Sequence, residues 1–272
     1  MDAPRASLAA TRVSADGPAA RALVMLHGIY GRGRNWQGVA RGLTAARPDY
    51  ECWLVDLPHH GESGPGRHGD RVGGLAADVV DWMAAQAVSP AAVLGHSFGG
   101  KVALAMAAPG HPPPRQVWVI DSTPEARPPS GSAWDLLQLV RRLPGRFASR
   151  DEAIDGIVAG GFSPEVARWM ATNLVRRGGA MVWRLDFDAM QRLLEDFFAT
   201  DFWPVVESPP AGCQLHFLKA GRSSAMSAAA VDRIAARAGD RLFLHHRDGG
   251  HWIHAESPAV VVALLAEHLP RD

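Results

Sequence analysis

The stretch Ala91-Ala92-Val93-Leu94-Gly95-His96-Ser97-Phe98-Gly99-Gly100-Lys101 decides how the rest of the chain is read. An apolar run comes first, then a Gly-x-Ser-x-Gly pentapeptide, then residues 101–108 with helical character. In that order a strand brings the chain to a sheet edge, a sharp turn lifts one serine, and a helix leaves directly behind it. Glycines on both flanks allow a strand–helix approach that a side chain would obstruct. The helix start would aim unpaired backbone N–H groups at negative charge developing near Ser97. The pentapeptide by itself is common in turns. A mechanism built on it needs a base, an acid and an oxyanion hole from elsewhere in the chain.

Outward from this stretch, apolar runs alternate with helical patterns, as in a mostly parallel sheet flanked by helices. Strands are expected at Ala22–Leu26, Tyr50–Val55, Ala91–Leu94, Gln116–Ile120, Gln214–Lys219 and Arg241–His245, with an edge strand or hairpin at Ala6–Val13. Helices are expected at Trp36–Ala46, Gly74–Gln86, Gly99–Ala108, Ala228–Ala238 and Pro258–His268. From Pro124 to about Glu207 the alternation stops. Amphipathic helical stretches follow one another there: Trp134–Leu143, Glu152–Ala159, Pro164–Arg176 and Asp188–Thr200. The organisation expected is an α/β core formed by residues 1–123 and 207–272, with a helical cap inserted at 124–206.

The 272 residues suit one large α/β domain with a small insertion. Twenty-eight basic residues balance 28 acidic ones, so no global field favours nucleic acid or an anionic membrane as partner. No apolar run reaches the length of a spanning helix, and Met1–Arg12 lacks the apolar region of a secretory signal. A cytoplasmic location is therefore expected, with Cys52 and Cys213 as reduced, buried thiols. No metal site and no cofactor is expected. The histidines are scattered, neighbours such as His245-His246 would face opposite sides of a strand, and no phosphate-binding or dinucleotide fingerprint occurs.

Ligands of open parallel sheets bind beyond the carboxyl ends of the strands. His27-Gly28, Ser97, Asp121 and His251 each follow an expected strand. A serine hydroxyl needs a base within reach to act as nucleophile; His251, in the glycine-loosened Asp248-Gly249-Gly250-His251, is the best base. The acid must hold the imidazole in the right tautomer. The turn after Gln214–Lys219 offers no carboxylate before Asp232, whereas Asp121 directly follows Val117-Trp118-Val119-Ile120, where a charge is costly unless paired. Asp121 is the favoured acid, with Asp232 and Asp248 as alternatives and Ser223 as a supporting hydroxyl. An oxyanion hole would use the backbone N–H groups of Phe98 and Ile29, with His27 bracing the second loop through its ring nitrogens. His254 is expected to be a structural or pocket residue.

His27-Gly28, Asp56-x-x-x-His60-Gly61-x-Ser63, Gly95-His96-Ser97-Phe98-Gly99-Gly100-Lys101 and Gly250-His251-Trp252-Ile253-His254-Ala255 together resemble the α/β-hydrolase superfamily. Lys101, Asp121-Ser122-Thr123-Pro124 and the Gly-His-Trp-Ile-His ending resemble its abhydrolase domain-containing 11 group and related bacterial carboxylesterases. That resemblance implies a triad acid after the earlier strand, hence Asp121, and hydrolysis of carboxylic esters or thioesters. The expected partner is a small ester or thioester with an apolar acyl or aromatic group, since the insertion is rich in aromatics. Two other readings remain open at this stage. One is the same fold acting on carbon–carbon bonds or as a lyase; the other is a ligand-binding module without catalysis.

Overall fold

The computed structural model describes residues 8–271. The start of the strand expected from Ala6 lies outside the described residues, as does most of Met1–Arg12. Seven strands form one sheet in the order β1-β3-β2-β4-β5-β9-β10. They are β1 (Ala10–Ser14), β2 (Arg21–Leu26), β3 (Tyr50–Val55), β4 (Pro90–His96), β5 (Gln116–Ile120), β9 (Gln214–Ala220) and β10 (Leu242–Arg247). Only the pairing of β1 with β3 is antiparallel.

Both faces of this sheet are covered, which is why its strands read as continuous apolar runs. Period-two alternation sorts their side chains between two cores. Leu23, Met25, Leu94, Trp118 and Ile120 pack with α1 (Gln37–Ala46) and α11 (Pro258–His268). Val24, Leu26, Val93, Val117 and Val119 pack with α2 (Val72–Ala85), α3 (Phe98–Ala105) and α9 (Ala228–Ala235).

Between β5 and β9 the chain leaves the sheet. It forms α4 (Ser132–Val140), α5 (Arg150–Ala159), α6 (Pro164–Ala171), α7 (Phe187–Ala199) and the short α8 (Trp203–Glu207). Serine or aspartate side chains cap three of them: Ser149 accepts from Glu152 N–H, Ser163 from Val166 N–H, and Asp186 from Asp188 and Ala189 N–H. The segment is not wholly helical, which corrects the expected helix Pro164–Arg176. That helix stops at Ala171, and β6 (Arg146–Phe147), β7 (Leu174–Arg177) and β8 (Ala180–Trp183) make a small antiparallel sheet. The reason is Gly178-Gly179, with φ of 54° and 78°. Two residues at positive φ close the two-residue hairpin whose twist matches its strands.

The segment is tied to the core by polar contacts of high sequence separation. Arg192 pairs with Asp70 at 2.6 Å, Asp196 accepts the Val72 N–H at 2.7 Å, and Arg184 reaches the Gly61 carbonyl at 2.9 Å. Asn173 donates to the Tyr30 carbonyl at 2.9 Å, and the Tyr30 hydroxyl donates to the Ala133 carbonyl at 2.8 Å.

Candidate active site

Ser97 sits at the hinge between β4 and α3 with φ 51° and ψ −117°, a backbone conformation that costs a non-glycine residue energy. Close packing of strand against helix enforces it. A Cβ on Gly95 would lie 1.9 Å from the Gly99 carbonyl oxygen, and one on Gly99 would lie 2.5 Å from the His27 carbonyl oxygen. No side chain fits at either place, so the turn cannot relax outward.

Asp121, also at positive φ, follows β5 and is fully buried. Its Oδ1 accepts the N–H of Ala220, the last residue of β9, at 3.1 Å. Its Oδ2 accepts the Nδ1–H of His251 at 2.7 Å. That bond fixes the imidazole tautomer and leaves Nε2 free of a proton. The other carboxylates lie elsewhere. Asp232 is within α9, and exposed Asp248 pairs with Arg222 at 2.5 Å. Ser223 borders the same region, but its Oγ accepts the Ala225 N–H.

Ser97 and His251 both line a cavity of about 410 Å³. Ile29, Tyr30, Leu136, Phe162, Val166, Trp169 and Trp252 give it a largely apolar wall. Leu136, Phe162, Val166 and Trp169 come from the inserted segment, and Trp169 meets Trp252 with ring centroids 5.8 Å apart. Ile29 and Phe98 border a second cavity together with Ser97. His27 braces the Ile29 loop from beneath. Its Nδ1–H donates to the Gly28 carbonyl at 2.8 Å while Nε2 accepts the Leu57 N–H at 3.0 Å. Burial pushes its pKa down to about 4, so the ring is neutral and keeps both roles at neutral pH.

The roles of His96 and Lys101 went unread in the sequence, while His254 is the buried pocket residue expected. His96, the variable residue inside the pentapeptide, donates Nε2–H to the carbonyl of His251 at 2.7 Å, tethering the backbone of the base to the end of β4. His254 stacks on His96 and Trp36 at 4.3 and 4.6 Å, and burial lowers its pKa to about 3. Lys101 is fully buried, and its ammonium donates to the carbonyls of Glu125, Phe197 and Thr200 at 2.9, 2.6 and 2.8 Å. Three donors meet three acceptors, all of them on the inserted segment, so this residue fastens that segment to the helix behind Ser97. Among the described residues, no group of three or more His, Cys, Asp or Glu is placed to hold a metal ion.

A family model described as "Alpha/beta hydrolase family" matches residues 23–264. The chain is 25% identical over 250 residues to the sn-1-specific diacylglycerol lipase ABHD11 of Mus musculus, covering 87% of this chain and 77% of that protein. It is 26% identical over 262 residues to Esterase YbfF of Escherichia coli K12, covering 91% and 92%. A solved marine microorganism esterase superposes with a TM-score of 0.81 at 20% identity, over 97% of this chain and 99% of that one, a likeness of fold.

Proposed function

Since this chain belongs to the alpha/beta hydrolase family, whose similar members include an esterase and a lipase, we propose that it is a serine carboxylesterase or thioesterase with Ser97, His251 and Asp121 as its triad. The observation that carries this reading is the 2.7 Å bond from His251 Nδ1–H to a fully buried Asp121, with His251 and Ser97 lining one cavity. His251 Nε2 takes the Ser97 proton as Oγ attacks the acyl carbon. The carbonyl oxygen gains negative charge, which the backbone N–H groups of Phe98 and Ile29 stabilise; one such donor is worth about 10²–10³ in turnover. Collapse expels the alcohol or thiol, protonated by the imidazolium. Water, deprotonated by His251, then attacks the acyl-enzyme and releases the acid. Asp121 stays ionised throughout and stabilises the imidazolium.

The apolar cavity suits an acyl chain or aromatic group, and residues 124–206 act as the cap that closes over it. Among the described residues no helix is long and apolar enough to cross a membrane. The buried, unpaired Cys52 and Cys213 suit a reducing compartment, and the cytoplasm is the location we propose. Replacing Ser97 with alanine should abolish both hydrolysis of p-nitrophenyl esters and covalent labelling by a fluorophosphonate. Labelling that persists in the variant would remove Ser97 from the mechanism.

A further inference from the structure

The apolar cavity is only one side of the site. Ile29, Ser97, His251 and Trp252 also border a second cavity of about 420 Å³ with different chemistry. The charged residues lining the apolar cavity, apart from histidines, are Glu165 and Glu256. Those lining the second are Asp121, Arg127 and Arg222, with hydroxyls from Ser122 and Ser130 among its wall. Asp121 is engaged with His251, and Arg222 is neutralised by Asp248.

That leaves Arg127. Its guanidinium carbon stands 5.3 Å from the centroid of the Phe198 ring, and no salt bridge among the described residues includes it. Its Nε is buried with no hydrogen-bond partner, and so is the Oγ of Ser122. An arginine on a cavity wall with no ion-pair partner suits an occupant that accepts hydrogen bonds. The backbone holds the arginine in place independently, since the Arg127 N–H donates to the Phe198 carbonyl at 2.8 Å.

Building on the serine-hydrolase reading, we infer that the second cavity receives a carboxylate carried by the substrate, bound by the Arg127 guanidinium. A guanidinium with no carboxylate of the chain in its fork matches a monoanion, and its planar fork fits a carboxylate. The glutamates of the apolar cavity disfavour an anion on that side. The substrate is thus an ester or thioester with an apolar group on one side of the scissile bond and a carboxylate on the other.

Two matched pairs test this. The first is the hexanoate esters of 4-(carboxymethyl)phenol and 4-(carbamoylmethyl)phenol; the second is the phenyl monoesters of adipic and adipamic acid. In each pair only the charge changes, and a methylene spacer keeps reactivity alike. The wild-type protein should prefer the carboxylate member of one pair by about tenfold or more in kcat/KM, and added salt should shrink that preference. Arg127→Met should reduce the preference about tenfold, and Arg127→Lys should restore part of it. Equal hydrolysis within both pairs by the wild-type protein overturns the inference without recourse to any variant. So does a preference that survives Arg127→Met. Failure to cleave any ester, with no fluorophosphonate labelling of Ser97, overturns the hydrolase reading instead.

Discussion

Lowering the pH from 7 to 5.5 should strip away much of the folding stability, because so many histidines are held neutral. His27, His60, His96, His216 and His254 are all buried. Burial brings His27 to about 4, His60, His216 and His254 to about 3, and His96 well below the ordinary value. In the unfolded chain each titrates near about 6.5. The unfolded state therefore binds more protons in acid, so the stability these residues contribute is complete above about 6.5 and drains as the pH falls toward the folded values. Integrating the difference from pH 7 to 5.5 gives about 1 kcal/mol per histidine, or about 5–6 kcal/mol for these five. A domain's whole stability is about 5–15 kcal/mol. His27 shows the cost in atoms: protonating Nε2 would set an N–H against the Leu57 N–H it now accepts. Urea unfolding followed by tryptophan fluorescence at several pH values in this range measures both the loss and its slope. The slope near pH 5.5 should correspond to uptake of about four to five protons on unfolding. A loss under about 2 kcal/mol would refute the reasoning, since the rings could not then be neutral donors and acceptors.

Three further outcomes follow from named contacts. Asp121→Asn should lower kcat by about 10³–10⁴, as an amide holds the wrong imidazole tautomer, whereas Asp232→Asn, within α9, should leave the rate near wild type; steady-state kinetics on a p-nitrophenyl ester decides. Lys101→Met strands the carbonyls of Glu125, Phe197 and Thr200. It should cost about 3–5 kcal/mol in urea unfolding and speed proteolysis within residues 124–200. Gly95→Ala drives a methyl into the Gly99 carbonyl at 1.9 Å. Its thermal midpoint should fall as for an overpacked core, by about 2 kcal/mol or more of stability, and unchanged stability would mean the strand and helix can part.

Much of the core was legible because buried parallel strands are short apolar runs, and Tyr50–Val55 and Gln116–Ile120 lie where the pattern places them. A short apolar run after Pro258 likewise located the helix Pro258–His268. The hairpin of β7 and β8 was misread because Leu174-Val175-Arg176 continues a helical-looking pattern, while the deciding signal is the two-residue Gly178-Gly179 turn after it. Lys101 and His96 were illegible for a different reason. Their partners lie about 24 to 155 residues away, and nothing local in a lysine or histidine says which distant carbonyl it will meet.

The position of Asp121, the acid we propose, has a structural explanation in the strand order. β9 lies between β5 and β10, so a carboxylate leaving β5 must pass the end of β9 to reach the loop after β10. Asp121 makes that passage by taking the N–H of Ala220, at the end of β9, with one oxygen and the His251 ring with the other. Its positive φ of 47° turns the chain toward that neighbour, away from a straight continuation of β5. The turn after β9 is thereby relieved of supplying a carboxylate, and Ser223 and Ser224 line the second cavity with hydroxyls. With Asp121 as the proposed acid, its place one strand back and the polar wall of the cavity beside Ser97 are two consequences of one choice. Restoring a carboxylate at Ser223 in an Asp121→Asn background tests it. If geometry alone selects the strand, Ser223→Asp should recover part of the lost kcat, because it returns a carboxylate to the turn after β9. No recovery at all, with the fold intact by circular dichroism, would mean that the Ala220 N–H contact is indispensable and that the two strand ends are not equivalent.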